Sequence, residues 1–360
     1  MKLHIFTTVM NRPDFLEIQA KMFEKYLKDD YELHVVDDTD LRSKGPKLAR
    51  KFKSICDKFD NLTYHKTDPK PNPLSWPGII NQRKLYPNRN QNLTLSDGTW
   101  HPCWGCAYAT QWTYDNLIKK NHREDKCILM DADMFLFPTT PIEEYPWQFD
   151  EKDFWEEQGG FSLLKYFEGQ TLSGVVQGRG SDIYKDKLES TNCWSSTKVT
   201  YIWNGLVWFD MSKICEIDDN LDWNCGIFDD EPVDVGGQIA QWLRKHNEIA
   251  RFNEPLGRDM KEGVAPNNNC SAFLWHPMCM RKETSPGRPE SKVEGEAFER
   301  LGKAGKWGEV IFHYRGGGNW THPSLFRKPG SPIPAKQKLF EEILEQHIDI
   351  DSLEYFKRMP

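Results

Sequence analysis

Residues 126–137, Lys-Cys-Ile-Leu-Met-Asp-Ala-Asp-Met-Phe-Leu-Phe, constrain the fold more than any other stretch of the chain. An apolar run meets Asp131 and Asp133, and a second apolar run follows as far as Pro138. Apolar side chains on both faces of a strand need cover from helices, so the stretch predicts a buried central strand. Two acids inside such a segment are costly unless a partner offsets their lost hydration. In an extended chain residues i and i+2 point to one side. Asp131 and Asp133 can then converge on one hard cation, with Ala132 leaving room beside them. Carboxylates with waters and phosphate oxygens suit Mg²⁺ or Mn²⁺. The plainer alternative is a strand end whose acids cap the next turn; the apolar flanks on both sides favour the metal.

A chain of 360 residues can bury a large core, as one big domain or two. Its hydrophobic fraction of 38% is that of a soluble globular protein, and its net charge of -7 argues against a nucleic-acid partner. No run of about 20 apolar residues predicts a membrane span. The chain enters a strand at Leu3 with no signal-peptide pattern, which predicts a cytoplasmic location. Nine cysteines fit free thiols in a reducing compartment. Cys103 and Cys106 have zinc or redox spacing, but no second such pair accompanies them. In that setting the three glycosylation sequons, at Asn61, Asn92 and Asn319, read as chance. With 14 Trp, 20 Phe and 12 Tyr the chain is rich in aromatics, which on loops can present flat apolar area to a sugar.

Leu3 to Phe6 predicts a first strand, followed by a loop from Thr7 through Val9 to Arg12. Pro13 then opens a helix to about Lys28, with Phe15, Ile18, Met22 and Tyr26 on one face. Glu32 to Val36 predicts a second strand ending in Asp37 and Asp38. Pro46 starts another helix with Leu48, Phe52, Ile55 and Phe59 on one face. This β-α-β-α opening predicts an α/β fold with a mainly parallel, Rossmann-like sheet flanked by helices. Ligands of such sheets sit beyond the carboxyl ends of the strands. Thr7, Val9, Arg12, Asp37, Asp38 and Asp131 are therefore candidates to line one crevice. Arg12 could meet phosphate, and an acid after the second strand could meet a base or ribose hydroxyl; Asp37 and Asp38 read equally as turn residues.

Residues 66–103 read as a long loop or insertion with Trp76 and Trp100 as candidate binding aromatics, and residues 143–200 as a polar region that includes a flexible glycine-rich run from Gly174 to Gly180. Gly105 to Ile118 predicts a helix whose small residues permit close packing. Thr200 to Asp210 predicts a strand interrupted by Asn204-Gly205, where a glycine often marks close approach of a ligand. Asp230 and Asp234 precede a helix over 236–246 that carries Gln238; Asp234 reads equally as its cap. Val310 to Tyr314 predicts a short strand running through His313 and Arg315 into three glycines from Gly316, whose N–H groups can cradle a diphosphate. His313 can act as a neutral-imidazole metal ligand. A last helix, 334–347, buries Leu339, Phe340, Ile343 and Leu344.

Taken in order, these pieces resemble a GT-A fold glycosyltransferase over roughly residues 1–325, nearest to glycosyltransferase family 8. The resemblance rests on the opening strand and helix, on Asp131-Ala-Asp133 behind Ile-Leu-Met, and on the strand from Trp203 to Asp210. It rests also on the acid-led helix near Asp234 and on His313-x-x-Gly316. It implies that Asp131, Asp133 and His313 hold Mn²⁺ against the diphosphate of a nucleotide-sugar, in particular a UDP-sugar. Family 8 follows its His-x-x-Gly with Lys-Pro-Trp; this chain has Gly317-Gly-Asn-Trp320, so Arg315 or Arg12 would supply the positive charge. The resemblance divides the chain into a nucleotide-binding half (1–140), an acceptor-side half (141–325) and a C-terminal helical extension (326–360). It implies transfer to a glycan or other hydroxyl acceptor with retention of anomeric configuration, and Asp234, Asp230 and Gln238 as the residues nearest the chemistry. A sugar-nucleotide nucleotidylyltransferase would want a glycine-rich loop after the first strand, which Thr7 to Arg12 lacks. A non-catalytic nucleotide- or carbohydrate-binding protein would need no metal triplet.

Overall fold

The computed structural model describes residues 1–39, 45–69, 102–136, 155–156, 160–178, 200–224, 226–228, 231–233, 235–236, 239–246, 274–275, 311–313, 340–342 and 344–356. The first elements are β1 (Leu3–Val9), α1 (Pro13–Tyr26), β2 (Tyr31–Asp37), α2 (Gly45–Cys56), β3 (Leu62–Lys66), α3 (Pro102–Thr113), α4 (Lys119–Asn121), β4 (Lys126–Asp131) and β5 (Met134–Leu136). Then come β6 (Trp155–Glu156), β7 (Gly160–Phe161), α5 (Leu163–Tyr166), β8 (Leu172–Gly178), β9 (Thr200–Asp210), α6 (Met211–Ile217), β10 (Gly226–Phe228), β11 (Glu231–Val233), α7 (Ile239–His246), β12 (Leu274–Trp275) and β13 (Ile311–His313). The protein is a mixed α/β chain with a central, mostly parallel sheet and helices around it, as the opening β-α-β-α pattern predicts. Contact density divides it into two units. One holds Met1–Thr8, His65–Asp131 and Phe167–Asn267; the other holds Val9–Tyr64, Ala132–Tyr166 and Asn268–Pro360.

In the first unit β1 pairs in parallel with β4, from Leu3 opposite Lys126 to Thr8 opposite Asp131. β9 runs antiparallel to β4, with Lys126 opposite Asp210, and β8 runs antiparallel to β9. Burial of Cys127, Ile128, Leu129 and Met130 on both faces of β4 matches its unbroken apolar sequence. Asp210 ends β9 and caps α6 through Lys213 N–H, while Lys126 and Ser212 also bind its carboxylate. Burial pushes the Asp210 carboxyl up, but the hydrogen bonds from Lys126 and Ser212 outweigh it and hold the group below its usual range. α3 does not end at Thr113: it widens into a π-helical turn over Tyr114–Ile118 before α4. There the Tyr114 hydroxyl donates to Asp219 O at 2.9 Å, and the ring tilts against Phe209 and Trp223. Gly236 takes a φ of 84°, which a glycine adopts freely, and its N–H reaches Trp223 O at 3.0 Å just before α7.

In the second unit Pro13 starts α1 and Asp14 lies in its first turn, where a negative charge suits the helix dipole. Phe15, Ile18, Met22 and Tyr26 are all buried, as their spacing predicts. Asp14, Glu17 and Gln19 are buried as well, so α1 is covered on more than its apolar stripe. Part of that cover is the chain's end. Lys21 Nζ donates to Ser352 Oγ at 2.8 Å, and the N–H groups of Glu354 and Tyr355 reach the Glu17 carboxylate at 3.1 and 3.2 Å. Within the predicted last helix, the described part of 340–345 is helical, with Phe340 and Leu344 fully buried. α2 buries Phe52 and Ile55 as expected, but it stops at Cys56, which leaves Phe59 beyond the helix and partly exposed.

Further expectations are corrected, beginning with the loop predicted from Thr7, which is strand as far as Val9. Residues 126–137 are not one strand: β4 stops at Asp131, Ala132 and Asp133 form a turn, and β5 joins a different sheet with β13 and β12. Same-side geometry for i and i+2 therefore does not carry Asp131 and Asp133, because it holds only for extended chain. The run from Gly174, read as flexible, is strand as far as Gly178: it forms the second part of β8, paired with β9. The helix predicted from Gly236 begins at Ile239. Most of the predicted 66–103 loop, with Trp76 and Trp100, lies outside the described residues.

Candidate functional site

The carboxyl ends of β1 and β4 assemble the first unit's share of the candidate residues. Parallel pairing sets Thr7 opposite Met130 and Thr8 opposite Asp131. Thr7 is fully buried, and its hydroxyl meets no hydrogen-bond partner among the described residues. Asp131 is partly exposed at the strand's last position. On the other side of β4, the antiparallel register ends at Met130 opposite Leu206, so Gly205 is the next residue of β9 at that level. The β8–β9 register jumps from Gly174 opposite Val207 to Val175 opposite Trp203. Asn204, Gly205 and Leu206 thus form a bulge, a feature over-represented beside active sites because it re-aims side chains and lets a ligand approach the backbone. Asn204 is buried, and its amide donates to Thr110 Oγ1 of α3 at 3.0 Å.

The second unit carries the rest. Val9 O accepts from Asp38 N–H at 2.9 Å, joining the end of β1 to the residue after β2. Asp37 is fully buried, and its two oxygens accept from Thr39 N–H at 2.8 Å and from the Tyr64 hydroxyl at 2.6 Å. Burial and the hydrogen bond to Asp37 push the Tyr64 hydroxyl well above its usual range. Arg12 is less available to phosphate than its position in the sequence suggests. Asp14 binds its Nε at 2.8 Å, and its guanidinium carbon lies 3.7 Å over the Phe15 ring.

Asp133 is buried, at 4% exposure, in the turn that leads into β5. Gln19 of α1 donates to Met134 O at 2.8 Å and anchors that turn to the helix. β13 pairs antiparallel with β5 and sets His313 opposite Met134, one residue from Asp133. Asp230, Asp234, Gln238, Arg315 and Gly316 lie outside the described residues. A donor set of two carboxylates and one histidine fits Mn²⁺ or Mg²⁺ rather than a thiophilic metal.

Sequence reasoning passed over Gln19, Tyr64 and Thr110, each of which holds a candidate residue or its turn through one hydrogen bond. A polar residue on an otherwise buried helix face was the available signal for Gln19, which lies between the apolar positions Ile18 and Met22. Thr110 stood in the small-residue stretch of its helix. Nothing local marks Tyr64.

No family model matches the sequence, and no curated protein matches it. Among solved structures, the chain is similar to galactosyltransferase LgtC in complex with donor and acceptor sugar analogs, at 12% identity and a TM-score of 0.36, covering 97% of this chain and 98% of that one. It is similar to mouse xyloside xylosyltransferase 1 at 11% identity and a TM-score of 0.36, covering 87% and 97%. A mannosyltransferase from Pyrobaculum calidifontis, in complex with GDP-Man and Mn²⁺, overlaps 69% of this chain and 53% of its own at 13% identity and a TM-score of 0.32. Overlaps this slight transfer no residue roles to the chain.

Proposed function

We propose that the chain is a GT-A type glycosyltransferase that moves a sugar from a nucleoside-diphosphate donor, UDP-linked in the first place, to a hydroxyl of a glycan or similar acceptor. The observation that supports this best is the Asp131-Ala-Asp133 turn at the carboxyl end of β4, beside Thr8 of a parallel neighbour. Open α/β sheets bind ligands at that edge. Asp131 and Asp133, with His313, would hold Mn²⁺ or Mg²⁺. When bound, the cation would neutralise the charge that develops on the diphosphate leaving group. The bulge at Asn204-Gly205 admits the donor close to the backbone, and the chain after His313, including Arg315 and Gly316, contributes donors to the phosphates. Residues 1–140 serve the nucleotide, and residues 141–325 the acceptor.

In this reading the reaction retains configuration. The leaving phosphate takes the acceptor's proton, while Asp234, Asp230 and Gln238 position the acceptor and stabilise positive charge on the sugar. One experiment tests the whole: a panel of nucleotide-sugars with and without Mn²⁺, followed by thermal shift and by proton NMR of the first-formed product. A donor that raises the melting temperature only with Mn²⁺, and an α-linked product from an α-linked donor, are expected. Asp131→Ala and Asp133→Ala should abolish donor hydrolysis and transfer without unfolding the protein. Full activity in EDTA, or in Asp133→Ala, removes the metal site; a β-linked product removes retention.

A further inference from the structure

At the opposite end of β1 from Thr8, two imidazoles converge on one carboxylate. His4 stands in β1 opposite Cys127 of β4, four residues and about 13 Å of strand from Thr8. His122 follows α4, and its N–H bonds Ile118 O at 2.9 Å. A 3.2 Å hydrogen bond from Asp125 N–H to His122 O then closes the turn into β4. That turn brings Asp125 back to both rings. Its Oδ2 lies 3.0 Å from His122 Nδ1 and 3.6 Å from His4 Nε2. The ring centroids are 4.0 Å apart. The histidine side chains are 11% and 13% exposed, whereas Asp125 is 39% exposed.

We propose that His4, His122 and Asp125 form a binding site for a borderline divalent cation, Zn²⁺ before Co²⁺ or Ni²⁺. Around a metal with bonds of about 2.0–2.2 Å, neighbouring ligand atoms stand roughly 3.0–3.6 Å apart, and the two contacts of Asp125 Oδ2 span that interval. A single hydrogen bond would account for the contact with His122 but leaves the second imidazole at the same oxygen unexplained. Two imidazoles with one carboxylate suit zinc and its neighbours better than the oxygen-seeking Mg²⁺ or Mn²⁺. The exposed side of Asp125 gives an entry path. The helix end at Asn121 and the start of β4 meet at this cluster, so a bound cation would tie α4, β1 and β4 together.

The test uses the full chain, stripped with EDTA, dialysed free of chelator and titrated calorimetrically with Zn²⁺. The same titration on the Asp131→Ala/Asp133→Ala double variant removes the carboxylates at the other end of the sheet. One Zn²⁺ equivalent should persist in that background and raise the melting temperature. In His122→Ala and in the size-conserving Asp125→Asn, that equivalent should be lost or weakened at least about tenfold, with circular dichroism unchanged. Absence of zinc binding to the folded wild type, or a zinc isotherm untouched by Asp125→Asn, would overturn the proposal and leave a hydrogen-bonded turn.

Discussion

Asp37 is fully buried with both carboxylate oxygens engaged inside the chain, by Tyr64 on one side and the Thr39 N–H on the other. A carboxyl group buried in that position depends on its donors, because water cannot replace them. Its primary work is then to fix the end of β2, and through Asp38 N–H to Val9 O the end of β1. Tyr64→Phe removes one donor and nothing else of that shape. It should lower the stability of the folded chain by roughly 1–3 kcal/mol, read from the urea midpoint at constant slope. An unmoved midpoint would mean that solvent reaches Asp37 after all. Arg12 illustrates the same point from the other side. Its charge is real, but Asp14 and the Phe15 ring already surround it, and a phosphate would have to displace Asp14.

Among the elements, β5 matters out of proportion to its length, because Asp133 opens it. Phe135 of β5 packs edge-on to Phe15 of α1 at 5.3 Å and against Phe340 at 5.0 Å, and Phe340 meets Phe15 at 5.8 Å. The helical segment at Phe340 thus supports the strand that follows the turn carrying a candidate ligand. Phe340→Ala should cost about 3–5 kcal/mol. It should also raise the Mn²⁺ concentration needed for half-maximal turnover, since the Asp133 turn loses its backing. A melting temperature equal to wild type would show that the three rings do not share a core. How much of this could be read in advance follows from what each signal measures. The apolar rhythm of α1 was legible, because four buried positions on one face leave little freedom. The break at Ala132–Asp133 was not: apolar residues on both sides of the acids look the same whether one strand continues or two strands of different sheets abut. β8 was hidden because its Gly174 and Gly178 carry no β signature, and pairing with β9 decides its conformation. Thr110 and Gln19 act on residues 94 and 115 positions away, a separation that no periodicity can reach.

At the scale of the whole chain, acid should unfold the protein in two steps with separate causes. His347, in the segment that returns to α1, is driven below its ordinary 6.5 to about 4 by burial and by the charge of Lys25. Its Nδ1 lies 3.0 Å from the Tyr26 hydroxyl. The unfolded chain binds that proton first, so its contribution to stability is complete above about 6.5 and falls as pH drops towards 4. The aspartates behave differently. The Lys245 hydrogen bond, despite some burial, holds Asp218 well below the usual carboxylate range. Asp219 is raised by burial but lowered further by Arg123 and Lys119, and Asp210 is lowered by Lys126 and Ser212 against its burial. Stability from these three is intact above the ordinary value of 3.8 and is lost only as pH falls below it. The melting temperature should therefore stay level down to about 6.5, decline gently to about 4, and drop steeply below that. His347→Phe keeps the apolar contact and removes the titrating group, so it should abolish the first decline and leave the second in place. Superimposable melting curves for wild type and His347→Phe between those two values would assign the upper step to another group.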